Sequence, residues 1–487
     1  MHSFFFKTNS SNPKANSKRK NKMPSSPARQ LLDLISTSLT SLEESCQANG
    51  VDIPDLYAPF HPSTEAFRGD PVTAEAANVI SAAALQLAAV LTPPQVTLYH
   101  VVGGHFKAAA IRACLESNVT EILREAGPDG MHINDIGAKN GQDPQKLGRF
   151  LRILAINHIY LEIKPNVFTN TRISSMLDTL KPARISLPKQ KHDNTFGLAA
   201  LASHHLDEAF KASAYAWETL IDPTTAKSGD PDAKETMWQF YERPAEAFRQ
   251  RRFNIGMQGI QALQPADASL DAFDWKSLPN GAVVVDVGGG VGTSALPLAR
   301  EFSKLKVVVQ DLPAVIKDAG QLWSTKMSDA VKSGRVVLEA QDFFKPQAKR
   351  DVAVFFLKQI LHDWSDEYCT KILKNLWAAA SPSTKLVIME NIMPFACHDP
   401  SADRGQGIAG AVPREAPAPL LANYGAVNAM GYYADIDMFL LFNSQERTVD
   451  HMEELLRDAG WKVIIIHRRE GGDSTFLQSI EAIPISK

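Results

Sequence analysis

The second half of the chain alternates short apolar runs with helical patterns from residue 282 to the C-terminus. Runs rich in Val and Ile predict buried strands, and the segments between them have the apolar spacing of amphipathic helices. The predicted strands are Val283–Val287, Lys306–Gln310, Arg335–Glu339, Val352–Leu357, Lys385–Glu390, Trp461–His467 and Thr475–Glu481. A loop containing Gly471-Gly472 joins the last two strands as a hairpin. The pattern predicts an α/β fold with a Rossmann-like seven-stranded sheet, mostly parallel, with one antiparallel strand.

The first half of the chain has a mostly helical pattern. Asn134–Ala155 is typical of two helices broken at Gly141–Pro144, and the alternating stretch that follows predicts a hairpin around Pro165-Asn166. Helix, turn, helix and hairpin form the outline of a winged helix, which leaves a DNA-binding regulator and a structural module equally open. The alanine-rich segment Ala77–Leu91 contains polar residues, so it predicts a packed helix rather than a membrane span.

The 487 residues are enough for two or three domains. We divide the chain into a disordered tail (1–28), a helical winged-helix domain (29–190) and the α/β domain (191–487), in which 394–434 form a long loop of open role. The tail contains a basic run, Lys18–Lys22. This run has three alternative explanations: a nuclear or mitochondrial targeting signal, a solvated tail, or an over-long reading frame whose true start is Met23.

Composition excludes several classes of protein. A hydrophobic content of 44% and a charged content of 22% are typical of a soluble globular protein, and a net charge of -3 argues against a general nucleic-acid binder. The four cysteines form no Cys-x-x-Cys pair, which indicates reduced thiols in the cytoplasm and no structural zinc. We expect no metal, because no spacing of Asp, Glu and His demands one.

A glycine cluster directly after the first strand indicates a cofactor turn. Glycines between a strand and a helix let the backbone approach a ligand. Gly288 and Gly290 fit the dinucleotide pattern, but its third glycine is replaced by Thr293. Asp286 precedes the cluster and Asp311 closes the next strand. A carboxylate there suits the ribose hydroxyls of NAD or S-adenosylmethionine.

Further polar side chains follow the other predicted strands. Asp342-Phe343, Lys358 and Glu390 come at three strand ends, and parallel strands bring such ends to one crevice. His362 stands between a strand and a helix opened by Ser365, which places the imidazole at that rim. A histidine there is a natural general base for a phenol or alcohol proton. Glu390 and Glu446 are the candidates for the carboxylate that orients it.

These motifs together resemble a known family. They are Asp286–Gly292 (Asp-Val-Gly-Gly-Gly-Val-Gly), Gln310–Pro313 (Gln-Asp-Leu-Pro), Asp342-Phe343, Leu357–Trp364 (Leu-Lys-Gln-Ile-Leu-His-Asp-Trp) and Gln445–Thr448 (Gln-Glu-Arg-Thr). In this order they resemble the S-adenosylmethionine-dependent O-methyltransferases of the caffeic acid type, and fungal members of secondary metabolism are the most similar. In that family the winged helix builds a homodimer and does not bind DNA.

The resemblance implies a role for each matching residue. The implied cofactor-binding residues are Asp286, Gly288, Gly290, Gly292, Asp311, Leu312, Asp342, Phe343, Lys358 and Trp364. His362 becomes the base, framed by Glu390 and Glu446, while Phe253 and Met257 line the substrate pocket. The implied reaction is methyl transfer from S-adenosylmethionine to a hydroxyl of a small aromatic, phenolic or polyketide-type metabolite. The acceptor itself and its regiochemistry stay open.

Two rival functions and one assembly follow from the same residues. A family member repurposed for decarboxylation, hydroxylation or pericyclic chemistry is the main rival, and the intact histidine and carboxylates argue against it. A winged-helix regulator is the lesser rival. The apolar helix face formed by Val79, Ala83, Leu87 and Val90 exceeds what a small winged helix could cover, so we expect a homodimer. We expect no nucleic acid and no membrane as partners.

Overall fold

A computed structural model describes residues 25–184, 190–222, 237–262, 264, 268–400, 407–468 and 477–486. Most of the predicted tail (1–28) and the Gly471-Gly472 loop lie outside these residues. The predicted end of the tail is slightly wrong, because the first helix begins at Pro27. Ser26 caps this helix, since its hydroxyl accepts a hydrogen bond from the Arg29 amide.

Helices dominate the N-terminal half and flank the sheet in the C-terminal half. In chain order they are α1 Pro27–Asn49, α2 Pro71–Leu91, α3 Pro94–Val102, α4 Gly104–Glu116, α5 Val119–Ala126, α6 Ile133–Asn140, α7 Pro144–Ala155, α8 Leu198–His204, α9 Phe210–Ser213, α10 Ala216–Ile221, α11 Met237–Glu242, α12 Ala247–Ala262, α13 Ala295–Glu301, α14 Pro313–Lys326, α15 Ser328–Lys332, α16 Asp366–Ala379, α17 Ala429–Phe442 and α18 Val449–Asp458. A π-helical turn, His205–Ala209, joins α8 to α9.

The strands form two sheets. They are β1 Met131–His132, β2 Tyr160–Lys164, β3 Val167–Asn170, β4 Val283–Val287, β5 Lys306–Asp311, β6 Val336–Ala340, β7 Val354–Lys358, β8 Lys385–Glu390, β9 Trp461–His467 and β10 Gln478–Pro484. The large sheet has the order β6-β5-β4-β7-β8-β10-β9, and only β10 runs antiparallel to its neighbours. This confirms the predicted seven-stranded sheet.

The large sheet is buried on both faces, which explains its continuous apolar runs. On one face α16 and α18 cover β7, β8 and β9, and on the other α13 and α14 cover β5 and β6. In such a sheet the strand order reverses beside the first strand, and ligands bind at the carboxyl ends there. The reversal lies between β4 and β7, so the fold directs a ligand to the ends of these two strands.

The small sheet belongs to the predicted helix–turn–helix–hairpin region. Helices α6 and α7 are broken at Gly141–Pro144, and β2 and β3 form the hairpin, as the sequence indicated. Gly141 ends α6 with φ 75°, a conformation that favours glycine, and Asp143 caps α7. A core of its own fills this module, including Ile122, Leu151 and Phe168.

Helix α2 and the 394–434 loop pack against each other. The Gln86 side chain donates to the Pro419 carbonyl over 2.9 Å, and the Tyr424 hydroxyl donates to the Glu75 carboxylate over 2.7 Å. The predicted loop therefore serves partly as a cover for the N-terminal helices. Its predicted end is wrong, because α17 already begins at Ala429.

This packing corrects one argument for a dimer. Val79 and Ala83 are buried within the chain, against α1 and the loop, so they need no partner. Val90, near the end of α2, is 52% exposed. Among the described residues α2 is also the one helix long and apolar enough to cross a membrane, but a third of that stretch is buried inside the protein.

Candidate active site

Five neighbouring strands bring the predicted site residues to one rim. Asp286, Asp311, Lys358 and Glu390 lie at the carboxyl ends of β4, β5, β7 and β8, and Asp342 follows β6. Because all five strands are parallel, their ends face the same crevice. The predicted convergence is thus present in the structure.

The three glycines after β4 meet different surroundings, although all have positive φ. A Cβ atom on Gly288 would lie 2.8 Å from the Ile360 side chain, and one on Gly292 would lie 2.5 Å from the Trp323 indole nitrogen. A Cβ atom on Gly290 would meet nothing within 4 Å among the described residues. Packing therefore leaves no room for a side chain at Gly292, a side chain at Gly288 would displace the end of Ile360, and open space for a ligand remains beside Gly290.

Opposite charges line the floor of the crevice. Asp286 is 1% exposed, and its Oδ2 atom has no hydrogen-bond partner within the described ranges. Burial raises the pKa of Asp286 to about 7, against the opposing effect of Lys358. Burial also lowers the pKa of Lys358, while Asp286 and Glu390 oppose that change. A zwitterionic amino-acid group would satisfy both charges, which fits the methionine part of S-adenosylmethionine.

Carboxylate and aromatic side chains form the other end of the crevice. The Asp311 carboxylate accepts hydrogen bonds from the Gly290 amide (2.8 Å) and the Leu312 amide (2.7 Å), which aim it across the glycine turn. Phe343 packs edge-on against Trp364, with ring centroids 5.9 Å apart. Asp342 turns the chain there, because its carboxylate accepts the Phe344 amide. An acceptor for ribose hydroxyls next to an aromatic wall fits a nucleoside.

His362 is paired with Glu446. The imidazole Nδ1 lies 2.8 Å from the Glu446 Oε1, and the His362 side chain is 13% exposed. Burial alone would lower the pKa of His362, but Glu446 and then Glu390 more than offset this and raise it to about 10. The carboxylate on Nδ1 leaves Nε2 as the atom that exchanges a proton.

The structure separates the two candidate carboxylates. Glu390 Oε2 is 4.0 Å from the imidazole Nδ1, while its Oε1 accepts the amides of Ile360 (3.0 Å) and Leu361 (2.8 Å). Glu390 therefore organises the turn before His362, and Glu446 is the residue that orients the ring. Burial raises the pKa of Glu390 to about 7, with His362 opposing.

Several residues around His362 escaped the sequence analysis. Asp363 Oδ1 lies 3.6 Å from the imidazole Nε2, and the Asp435 carboxylate accepts the Glu446 amide over 2.8 Å. Arg447 is fully buried, and its guanidinium donates to the carbonyls of Leu361 (2.9 Å) and Trp364 (2.8 Å). It thus holds both ends of the His362 turn. Arg447 could have been recognised from its place in the Gln445–Thr448 motif, whereas no sequence motif indicated Asp435.

An aromatic wall stands beside α17. Phe253 is buried, and its ring lies 5.9 Å from Trp238, which in turn lies 5.4 Å from Phe442 at the end of α17. Met257 is half-buried, one turn further along α12. The two predicted pocket residues thus share a helix, and Phe253 belongs to an aromatic cluster.

Two clusters among the described residues could hold a cation by geometry. In each, three ligand atoms lie within 4.8 Å of one another; the clusters are His362, Glu390 and Glu446, and His204, His205 and Asp437. In the first cluster the Glu390 Oε1 is already occupied by two backbone amides. The expectation of no metal stays a prediction.

The chain is similar to several known proteins. A family model for an O-methyltransferase domain matches residues 217–416. The "4-O-methyltransferase 1" of Phanerochaete chrysosporium is 52% identical over 474 residues, which cover 95% of this chain and 100% of that protein. Among solved structures, an S-adenosylhomocysteine-bound methyltransferase of calicheamicin biosynthesis matches 80% of this chain and 98% of its own at 21% identity (TM-score 0.55). A pericyclic reaction enzyme matches 93% and 100% at 17% identity (TM-score 0.62).

Proposed function

The chain belongs to the S-adenosylmethionine-dependent O-methyltransferases, and on that premise we propose that it methylates a phenolic hydroxyl of a small aromatic metabolite, with His362 as the base. The observation that carries the proposal is the buried His362–Glu446 pair, whose Nδ1–Oε1 distance is 2.8 Å. S-adenosylmethionine supplies an electrophilic methyl group when bound. The chain must then supply a rim that holds it and a base for the acceptor.

The crevice has groups for each part of the cofactor. Asp286 and Lys358 would bind the charged methionine end, next to the open backbone at Gly290. Asp311 would accept the ribose hydroxyls, and Phe343 would face the adenine. Gly288, Gly292 and Trp364 would act indirectly, because they shape the turn and support the aromatic wall. Leu312 and Asp342 would lie beside the ribose and adenine ends.

The proton affinity of His362 suits a phenol. A phenol ionises at a pKa of about 10, and His362 has a pKa of about 10. Once His362 has lost its own proton, as it does when the pH rises toward 10, a proton moves from the phenol oxygen to Nε2 at little net cost, and Glu446 stabilises the resulting imidazolium from the Nδ1 side. An aliphatic alcohol holds its proton far more tightly and would be a poor match. Phe253 and Met257 would hold the aromatic ring.

Positioning completes the mechanism. The turn that carries His362 is held by the Glu390 carboxylate at one end and by Arg447 at both ends. A base fixed in this way holds the acceptor oxygen in one place relative to the cofactor rim. Such pre-orientation of reactants can supply roughly 7–11 kcal/mol of the barrier reduction.

A direct assay tests this function. The protein is incubated with methyl-labelled S-adenosylmethionine and an extract of its source organism, and the products are analysed by mass spectrometry, with and without EDTA. We expect a methylated phenol that forms equally well in EDTA. If the His362→Gln variant made the same product at the wild-type rate, the base would be assigned wrongly.

The rival function is a reaction without methyl transfer. One structural neighbour is described as a pericyclic reaction enzyme. At 17% identity that likeness concerns the fold alone. The complete His362–Glu446 pair favours methyl transfer, because a pericyclic reaction needs no base for an acceptor proton. A product with the mass of the substrate and no transferred label would support the rival.

We further propose a cytoplasmic homodimer that binds neither DNA nor membranes. Large apolar side chains on α3 and at the start of α4 are 59–77% exposed; they are Leu98, Tyr99, Val101, Val102 and Phe106. An obligate dimer interface typically buries about 2,000 Å² or more, and this surface would form part of it. Light scattering should give twice the chain mass, and the Leu98→Glu/Val101→Glu double variant should shift it toward the monomer. A wild-type monomer would contradict the proposal.

A further inference from the structure

The strand that carries Lys358 ends in a strained turn. Gln359 follows β7 directly and has φ 55°, in the left-handed region that residues other than glycine seldom adopt. Two hydrogen bonds fix the backbone there: the Gln359 amide donates to the Met389 carbonyl over 2.9 Å, and the Ile360 amide donates to the Glu390 carboxylate over 3.0 Å. Strain of this kind is concentrated at functional sites, which indicates a role for the Gln359 side chain.

The left-handed turn brings two consecutive side chains together. In an extended strand neighbouring side chains point to opposite faces of the sheet, so Lys358 and Gln359 would not meet. The positive φ at Gln359 changes the direction of the chain, and the Lys358 ammonium donates a hydrogen bond to the Gln359 amide oxygen over 3.2 Å. The strain at Gln359 is therefore coupled to a fixed position of the Lys358 side chain.

A second donor holds the Gln359 side chain in place. Gln264 lies two residues after the end of α12, and its amide nitrogen donates to the same Gln359 oxygen over 3.2 Å. Helix α12 also carries Phe253 and Met257, the residues proposed to hold the acceptor ring. Gln359 thus joins the cofactor rim to the segment after the acceptor helix, and the two donors together limit the rotation of its amide.

The Lys358 ammonium has capacity left for a ligand. It has three N–H donors, and within the part of the chain that the structure describes its one hydrogen bond goes to Gln359. Asp286 is close enough to oppose the effect of burial on the pKa of Lys358, yet its Oδ2 atom has no hydrogen-bond partner in the same described part. Two free donors near one free acceptor match the carboxylate and the ammonium of an amino-acid group.

We propose that Gln359 is a positioning residue, which fixes the Lys358 ammonium for the carboxylate in the methionine part of S-adenosylmethionine. This inference rests on the proposed function, in which Lys358 binds the charged end of the cofactor. Gln359 acts through Lys358 and not through a contact of its own with the cofactor. A glycine in this place would remove the backbone strain and, with it, the hydrogen bond that holds Lys358.

Two ligands separate this role from a general effect on the pocket. S-adenosylhomocysteine carries the amino-acid group, whereas 5′-methylthioadenosine has the same adenosine and sulfur without it. Calorimetry measures both dissociation constants for wild type, Gln359→Gly and Gln359→Ala. In both variants we expect the dissociation constant of S-adenosylhomocysteine to rise by about 5- to 20-fold, which is part of what a hydrogen bond to a charged group contributes. The dissociation constant of 5′-methylthioadenosine should stay at the wild-type value.

Thermal unfolding tests the strain independently of binding. Both variants lose the same side-chain hydrogen bonds, but only glycine adopts a positive φ without steric cost. Gln359→Gly should therefore unfold at a higher temperature than Gln359→Ala, although the two bind S-adenosylhomocysteine equally weakly. His158→Gly is the matched control, because His158 has φ 62° and lies just before β2, in the N-terminal half of the chain. It should bind both ligands as wild type does.

A double-mutant cycle shows whether Gln359 acts through Lys358. Lys358→Met alone should weaken S-adenosylhomocysteine binding by about 10- to 100-fold, and the addition of Gln359→Gly should weaken it no further. Additive losses would overturn the inference, because Gln359 would then act independently of Lys358. Wild-type affinity for S-adenosylhomocysteine in both Gln359 variants, or an equal loss for 5′-methylthioadenosine, would also overturn it.

Failure of the proposed function looks different in the same measurements. If Lys358 does not bind the charged end of the cofactor, Lys358→Met will bind S-adenosylhomocysteine as wild type does. The premise would then be wrong, and the inference would fall with it. If instead Lys358→Met binds weakly while both Gln359 variants bind normally, the premise stands and only the role of Gln359 is refuted.

Discussion

Removing the Glu446 charge should move the pH dependence of catalysis. The pKa of His362 is about 10, against an ordinary value of 6.5, and Glu446 is the strongest of the groups that raise it. At 1.36 kcal/mol per pKa unit the whole shift corresponds to roughly 5 kcal/mol in favour of the protonated ring. Glu446→Gln removes the main part of this, and burial, which disfavours the charge, then dominates.

The sign of the effect follows from the need for an unprotonated Nε2. In wild-type protein kcat/KM should rise with pH up to about 10, as the free enzyme loses the His362 proton. In Glu446→Gln the rise should end at least one pH unit lower, because the imidazole now loses its proton more readily. The plateau should fall by about 10- to 100-fold, since the weaker base accepts the phenol proton less well. At neutral pH the lower pKa increases the fraction of unprotonated imidazole, whereas the weaker base slows proton transfer. The two effects on kcat/KM oppose each other, so kcat/KM must be measured over the whole pH range.

The assay measures kcat/KM from pH 6 to 10.5 with saturating S-adenosylmethionine, for wild type, Glu446→Gln and the surface control Glu454→Gln. Thermal unfolding provides a second readout. Because the folded-state pKa of His362 is raised, its stabilising effect is present below pH 6.5 and is lost as the pH rises to about 10. Glu446→Gln should therefore be most destabilised, relative to wild type, near pH 6. If kcat/KM of this variant stopped rising at the same pH as in wild type, the role given to Glu446 would be refuted.

Three further predictions concern the base, the ribose and the glycine turn. His362→Ala should bind S-adenosylhomocysteine nearly as wild type in calorimetry, while turnover falls about 10²- to 10⁴-fold; unchanged turnover would remove His362 from the mechanism. Asp311→Ala should weaken cofactor binding by about one to two orders of magnitude, because a charge-assisted acceptor is lost; an unchanged dissociation constant would show that the ribose binds elsewhere. Gly292→Ala should lower the free energy of unfolding by more than about 2 kcal/mol, since its new Cβ atom would meet the Trp323 indole in a left-handed backbone. Gly290→Ala, with open space around it, should cost only about 1 kcal/mol but weaken cofactor binding, and equal destabilisation of the two would contradict the assigned roles.

Local patterns in the sequence were sufficient for the strands and for the rim. Val283–Val287, Lys385–Glu390 and Trp461–His467 have the predicted bounds. The first two are central strands buried on both faces, and such strands need an unbroken apolar run. The last strand is displaced to Gln478–Pro484, and its true register depends on pairing with β8 and β9 rather than on its own residues. The sequence pattern over residues 236–263 also predicts a single helix, but within the described residues α11 and α12 are separated at Arg243 and Pro244.

The sequence by itself determined the fold class, the cofactor turn and the set of rim residues, because each depends on residues close together in the chain. Only the tertiary structure decided between Glu390 and Glu446, which lie 28 and 84 positions beyond His362 and differ in whether backbone amides already occupy them. The same holds for Gly290 and Gly292, which look alike in sequence until the Trp323 ring occupies the space at one of them. It holds for Gln359 as well, whose partner Gln264 is 95 residues away. Distances between side chains on separate elements arise from packing, and no local pattern records them.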